Sequence, residues 1–343
     1  MKYAFLCSFH FISPTGGLQY QAQMWKVGLE RLGHQVDLID NWSGVYLENY
    51  DVVLVFGIDP GIRTFWKNIC KANTKLVVAP IIDPKFPIFL IKFFVKYWGS
   101  QKYLGLSSRY HDMWLARKYP QLWLVRSEEE RHIVNYCMEI PQERIVKVPL
   151  HFRIPEIESF PEKEDFCLHV SRLDSPNKNV PRIIAASKKY GFKLKLVGYV
   201  KAENMEWLNK LIDGEENIQY VGMVSEEELC NLYKRAKVLT LPTINEEGVG
   251  MVALEAAAYG CEIVLTNYGA PKEYYDGRAI LVNPKSVDEI GQGIMKALNE
   301  GYAQPDLKSF IEQHYSEEAC MKLLHDSVCK ALNIVNEPLT GQN

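Results

Sequence analysis

The sequence predicts an α/β protein made of two doubly wound, Rossmann-like domains. Three observations predict it. Short apolar runs such as DVVLVF (51–56), KLVVAPII (75–82) and LWLVR (122–126) alternate with longer segments of helical periodicity, the pattern of buried parallel strands joined by crossover helices. The stretch 241–273, LPTINEEGVGMVALEAAAYGCEIVLTNYGAPKE, reads as strand, glycine loop, helix and strand. The N-terminus repeats that order: strand Lys2–Phe11, loop Ser13–Gly17, helix Leu18–Leu32 closed by Gly33, then strand Val36–Ile39.

At 343 residues the chain is long enough for two cores, and 47% hydrophobic with 24% charged residues is an ordinary globular composition. A net charge of −3 argues against a general nucleic-acid binder. It conceals an asymmetry. Residues 1–150 carry 18 Lys and Arg against 13 Asp and Glu, and the remainder 21 against 29, so the halves are expected to meet different partners. None of the eight cysteines forms a C-x-x-C pair, which reads as reduced, mostly buried thiols. The opening MKYAFLCSFHFISP has a short, broken apolar stretch and no small-residue cleavage site, so it reads as a buried first strand. No apolar run reaches the ~18 residues of a membrane span, and a cytoplasmic protein is expected.

In the N-terminal half the loop glycines Gly16 and Gly17 do not form G-x-G-x-x-G, so the dinucleotide fingerprint is missing. The strand 75–82 ends at Asp83-Pro84. Residues 85–118 then carry Lys85, Lys92, Lys96, Lys102, Arg109, Arg117 and Lys118 against the single acid Asp112, with nine aromatics between them from Phe86 to Trp114. That pattern suits an interfacial helix on an anionic membrane, and equally an acceptor-binding surface. Ser127 and Glu130 read as a capping box opening the helix that runs through Cys137. Arg144–Val148 is the last strand of this half, and the Pro-rich stretch Pro149–Pro161 is a linker. In the C-terminal half FCLHVS (166–171) is a strand with Arg172 at its end and Lys178 six residues on. Pro181–Tyr190 is a helix, and strands 193–197 and 218–221 end at Gly198 and Gly222. Ser225 caps a helix reaching Ala236, and amphipathic helices follow at 287–299 and 316–334. The expected domains are 1–155 and 165–312, with a final helical segment 313–343 crossing back to the first.

The glycine loop of 241–273 carries specific chemistry. Gly248 and Gly250 let a ligand approach the backbone, and the unpaired N–H groups of the helix that follows favour a phosphate. Glu247 before the loop and Glu255 eight residues later are placed to accept hydrogen bonds from ligand hydroxyls. Phosphate flanked by hydroxyls describes a sugar nucleotide.

The run Glu-Gly-Val-Gly-Met-Val-Ala-Leu-Glu at 247–255 resembles the Glu-x7-Glu motif of retaining glycosyltransferases with the GT-B fold, family 4 in particular. Val249 stands where that family usually has Phe, Glu262 where it has Pro, and Asn179 where it often has Gly. The resemblance covers nearly the whole chain, strongly over 166–285 and weakly over 40–120. It implies two domains facing a central cleft, an NDP-sugar donor (UDP- or GDP-linked), a saccharide or lipid-linked acceptor, retention of anomeric configuration and no required metal. It also implies roles. Arg172 and Lys178 clamp the diphosphate, Glu247 holds the donor sugar and Glu255 the ribose. Gly248, Val249, Gly250, Met251 and Gly198 line the donor site, and Gly16 and Gly17 touch donor phosphates or acceptor. Asp83 takes the place of a histidine that contacts the donor sugar in related enzymes, as a candidate catalytic residue. The expected setting is cell-surface polysaccharide or glycolipid synthesis, peripheral to the membrane. The alternatives are a catalytically silent GT-B binding subunit, a GT-B sugar-nucleotide epimerase or a glycogen-synthase-like polymerase.

Overall fold

The computed structural model describes the chain except for residues 8–16, 40–43, 59–61, 72–74, 83–86, 99, 102–105, 108, 153–158, 245–249 and 335–343. The described chain divides into two units, 1–150 with 317–343, and 151–316.

In the first unit the elements run β1 (Lys2–Cys7), α1 (Gly17–Arg31), β2 (Gln35–Ile39), β3 (Val52–Phe56), α2 (Ile62–Lys71), β4 (Leu76–Ala79), α3 (Ile88–Phe93), β5 (Ser100–Gln101), β6 (Leu106–Ser107), α4 (Arg109–Ala116), β7 (Leu122–Val125), α5 (Glu128–Met138) and β8 (Ile145–Lys147). Six strands form one parallel sheet in the order β2-β1-β3-β4-β7-β8, and β5 pairs with β6 apart from it. β3, β4 and β7 are buried along their whole length because helices cover both faces, which is why they read as unbroken apolar runs. Trp25 and Leu29 of α1 pack on one face, and Trp66, Met113, Ile133 and Val134 pack on the other.

The second unit contains β9 (Glu164–Val170), α6 (Val180–Tyr190), β10 (Leu194–Val197), α7 (Met205–Ile212), β11 (Ile218–Gly222), α8 (Glu226–Arg235), β12 (Ala236–Leu241), α9 (Met251–Ala258), β13 (Glu262–Thr266), α10 (Pro271–Tyr275), β14 (Ile280–Val282), α11 (Val287–Glu300) and α12 (Asp306–Tyr315). Its six-stranded parallel sheet has the order β11-β10-β9-β12-β13-β14. The chain winds outward from β9 through β10 to β11, then returns to the other side of β9 with β12, and Leu168 of β9 lies opposite Lys195 on one side and Leu239 on the other. Reversal of strand order between β9 and β12 makes this the topological switch point of the sheet.

The last helix, α13 (Glu317–Leu332), belongs to the first unit. Met321, Leu324 and Val328 join its core, His325 Nδ1 lies 2.8 Å from the Tyr3 hydroxyl, and Arg31 pairs with Glu317 at 2.6 Å. α12 is a helix beyond those expected from the sequence, although Leu307, Ile311 and Tyr315, which it buries, recur at helical spacing.

Two local signals turn out differently. Ser127 Oγ accepts from the Glu130 amide at 3.1 Å, but the Glu130 carboxylate does not return to the Ser127 amide as a capping box requires. It is buried and accepts instead from the amides of Ile82 and Arg126, each at 2.7 Å, and from Arg126 Nε at 3.2 Å. Glu130 therefore fixes the exit of β4, where Ile81 has φ of 51°. Glu262, standing where a proline is expected, likewise has a structural task. From the first position of β13 its buried carboxylate accepts from the amides of Tyr302, Ala303 and Gln304 at 2.8–3.2 Å, pinning the segment that leads into α12. Glu262→Ala orphans all three donors and is expected to destabilise the second unit by about 3 kcal/mol in urea unfolding. Because Glu262 starts its strand, at the end of the sheet away from the switch point, ligand responses of the remaining folded protein should be unchanged.

Candidate functional site

In a parallel doubly wound sheet, ligands bind beyond the carboxyl ends of the strands at the switch point. In the second unit the residues leaving β9 and β12 mark that place. Arg172 leaves β9 with its side chain 56% exposed. Its Nε donates to Asp174 Oδ1 at 2.8 Å, and the same carboxylate accepts from the Lys201 amide and from Asn204 Nδ2, each at 3.1 Å. The Arg172 hydrogen bond, reinforced by these donors, holds the Asp174 carboxyl down at about 2. Asp174 thus orients the guanidinium at the strand end while remaining ionised. Its role was not read from the sequence, although its position two residues after Arg172 could have signalled it.

Lys178 ends a short 3-10 turn, Pro176–Lys178. The turn is held by Asn179, which adopts the left-handed conformation with φ of 60°. Asn tolerates that region better than other non-glycine residues, which explains why it can stand where glycine is common. Its buried amide does more than glycine could. Nδ2 donates to the carbonyls of Pro242 at 2.9 Å and Pro284 at 2.6 Å, while Oδ1 accepts from Arg182 at 2.9 Å. The Ile244 amide also donates to the Asn177 carbonyl at 2.9 Å. These bonds tie the Lys178 turn, which comes after β9, to the chain leaving β12. The sequence-predicted Arg172 and Lys178 are therefore brought to the strand end where the chain leaves β12.

Beneath them, His169 of β9 is fully buried. Its Nδ1 lies 2.9 Å from the Thr240 carbonyl, which can only accept, so Nδ1 carries the proton and Nε2 accepts from the Ser171 hydroxyl at 2.7 Å. Burial, aided by the nearby Lys178 charge, pushes this imidazole down to about 4. It is neutral in the fold and joins β9 to β12 three residues before Arg172. A histidine at 4 when folded and near 6.5 when unfolded leaves the unfolded chain binding more protons between those values. Stability should therefore be full above pH 6.5 and fall by up to about 1.4 kcal/mol per pH unit as pH drops towards 4. Urea titrations across that window should show the slope, and His169→Gln should reduce it to the part contributed by His34, whose imidazole is also pushed down to about 4 by burial.

Gly198 comes directly after β10 with φ of 136°, and a Cβ there would lie 1.7 Å from the Ser171 carbonyl oxygen. This close approach seats the end of β9 against the end of β10, where the Tyr199 ring lies 5.9 Å from the Arg172 guanidinium. On the β12 side Gly250 caps α9 in the left-handed conformation, with φ of 65° and ψ of 67°, and Met251 is the first helical residue. Glu255, one turn further on, is fully buried and accepts from the Tyr233 hydroxyl at 3.1 Å on Oε2. The structure thus places its carboxylate inside the unit, between α8 and α9. Glu247, Gly248 and Val249 lie outside the described residues, as do Gly16 and Asp83, while Gly17 is the first residue of α1.

Residues 152–317 match the family model described as Glycosyl transferases group 1. Over 178 residues the chain is 26% identical to an uncharacterized glycosyltransferase of Methanocaldococcus jannaschii, covering 49% of this chain and 44% of that protein. Over 167 residues it is 23% identical to a GDP-mannose-dependent monoacylated alpha-(1-6)-phosphatidylinositol monomannoside mannosyltransferase of Corynebacterium glutamicum, covering 46% and 43%. The matches span less than half the length of these curated relatives. Anabaena HepE, solved in complex with UDP, superimposes with a TM-score of 0.73 at 15% identity, covering 96% of this chain and all of that one. The likeness to HepE over 96% of this chain is a likeness of GT-B fold, and residues 152–317 are similar to group 1 glycosyl transferases.

Proposed function

We propose that the chain transfers a sugar from a nucleotide-diphosphate donor bound at the switch point of the second sheet. The observation that carries this reading is the joining of the Arg172 and Lys178 strand end to the β12 exit through Asn179 and the Ile244 amide. Two cations after β9, on a segment tied to the exit of β12, suit a diphosphate, and they act on the charge that develops on it as the glycosidic bond to phosphate breaks. Arg172 and Lys178 serve as the electrophilic clamp in place of a divalent metal. Gly248, Val249, Gly250 and Met251 receive the phosphates on backbone N–H groups, and Gly198 keeps the β9 end in register for them.

Glu247 holds the donor sugar hydroxyls, and Glu255 the ribose, the latter after exchanging its bond to Tyr233. Gly16 and Gly17 are assigned contacts to donor phosphates or acceptor, and Asp83 a role at the reacting centre. The reaction proceeds with retention, as in family 4, onto a saccharide or lipid-linked acceptor in cell-surface polysaccharide or glycolipid synthesis. The proposed base is uracil or guanine, a reading supported by one relative that is GDP-mannose-dependent and one fold neighbour that was solved with UDP.

A thermal-shift screen against UDP, GDP, ADP and their sugar conjugates in EDTA tests this, because a ligand that binds only the folded state raises its apparent stability. Stabilisation by UDP or GDP without metal is the expected result. Response to none of them would point to the silent-subunit alternative and overturn the proposal.

A further inference from the structure

The segment rich in aromatics and cations presents one surface. α3 continues into a π-helical turn, Phe94–Trp98. Ile91 and Val95 are buried in the first unit's core, whereas Phe89, Phe93, Phe94 and Tyr97 are 65, 45, 48 and 72% exposed. The exposed four recur at helical spacing and share a face. Their rings also touch: Phe93 lies 5.9 Å from Phe94 and 5.8 Å from Tyr97, centroid to centroid. No acidic residue occurs between Ile88 and Trp98.

The rim is cationic. Lys92 Nζ sits 3.6 Å over the ring of Tyr136, itself 42% exposed. Lys96 and Arg117 share one carboxylate, Glu139, at 2.9 and 3.7 Å, and Trp114 Nε1 donates to it at 3.3 Å. Lys118 adds a further charge beside Tyr119.

A contiguous patch of exposed rings marks an interaction surface. Rings at the centre with lysines along the edge match the boundary between headgroups and acyl chains of an anionic bilayer, where aromatics sit at the interface and ammonium groups reach lipid phosphates. Among the described residues no helix is long and apolar enough to cross a membrane, so the contact is in-plane. We propose that the Phe89, Phe93, Phe94 and Tyr97 face, rimmed by Lys92 and Lys96, docks the first unit onto an anionic membrane surface. This proposal stands apart from the assignment of the donor site.

Flotation of the full chain with vesicles tests it, using phosphatidylcholine alone and an equimolar mixture with phosphatidylglycerol. Wild type is expected to float with the anionic vesicles only, and less at high salt. Phe89→Ser with Tyr97→Ser should weaken partitioning about tenfold or more. Lys92→Gln with Lys96→Gln should weaken it by a similar factor, discounted for the Glu139 pairing. Both pairs are at the surface, and a wild-type melting transition verifies that they fold. Absence of wild-type flotation, or variants that partition like wild type, would overturn the proposal. So would concentration-dependent self-association that the aromatic pair abolishes without any vesicle binding, which would make this face a protein interface.

Discussion

Lys178→Ala is expected to reduce sugar transfer by about 10²–10³-fold, the usual effect of deleting one group that stabilises developing charge. Arg172→Ala should fall in the same range. Truncating either side chain leaves the backbone hydrogen bonds around it in place. The Lys178 turn is held by Asn179 and by the bond from the Lys178 amide to the Ser175 carbonyl, both independent of the lysine side chain. The Arg172 side chain is mostly exposed, and truncating it leaves Asp174 with its bonds from Lys201 and Asn204. The melting transition should therefore stay close to wild type while kcat collapses. Initial rates with saturating donor, read beside a thermal melt, check both halves. Wild-type turnover in either variant would remove the clamp from the mechanism.

Gly198→Ala should give the largest loss of stability. At φ of 136° a non-glycine residue is strained by roughly 1–3 kcal/mol before any contact is counted. The new Cβ would also meet the Ser171 carbonyl at 1.7 Å, and that oxygen belongs to backbone that cannot swing aside alone. Moving it pulls on the Ser171 amide, bonded to the Val197 carbonyl at 3.0 Å, and on the Leu173 amide, bonded to the Tyr199 carbonyl at 2.9 Å. A total of about 3 kcal/mol or more is expected in urea unfolding of the second unit, together with loss of the nucleotide response, because the displaced residues carry Arg172. A change below about 0.5 kcal/mol would contradict this packing of β9 against β10.

Much of the fold and part of the site were legible in the sequence, for physical reasons that can be named. β3, β4 and β13 are covered on both faces, so burial wrote itself into uninterrupted apolar runs. The helix starts at Ser127 and Ser225 were visible because a cap acts within three residues, its oxygen accepting from the amides of Glu130 and Glu228. A strand end and a turn signal give the positions of Arg172 and Lys178, whereas their pairing as a clamp is implied only by the family resemblance. What the sequence concealed depends on partners far along the chain. Asn179 acts on Pro284, 105 residues away, and Glu262 acts on amides 40–42 residues away. Glu130 carries the residue type of a capping box yet bonds to Ile82, 48 residues before it. Both family departures that the structure describes, Asn179 and Glu262, are accounted for by such long-range hydrogen bonds rather than by any change at the strand ends.

The central claim is that the ends of β9 and β12 bind a nucleotide through its diphosphate. Calorimetric titration in EDTA, with the preferred nucleoside as its diphosphate, its monophosphate and the bare nucleoside, tests it most directly. The wild type should prefer the diphosphate, and Arg172→Ala and Lys178→Ala should each weaken diphosphate binding by about tenfold or more while leaving the nucleoside unchanged. Equal affinity for diphosphate in the wild type and both variants would contradict it.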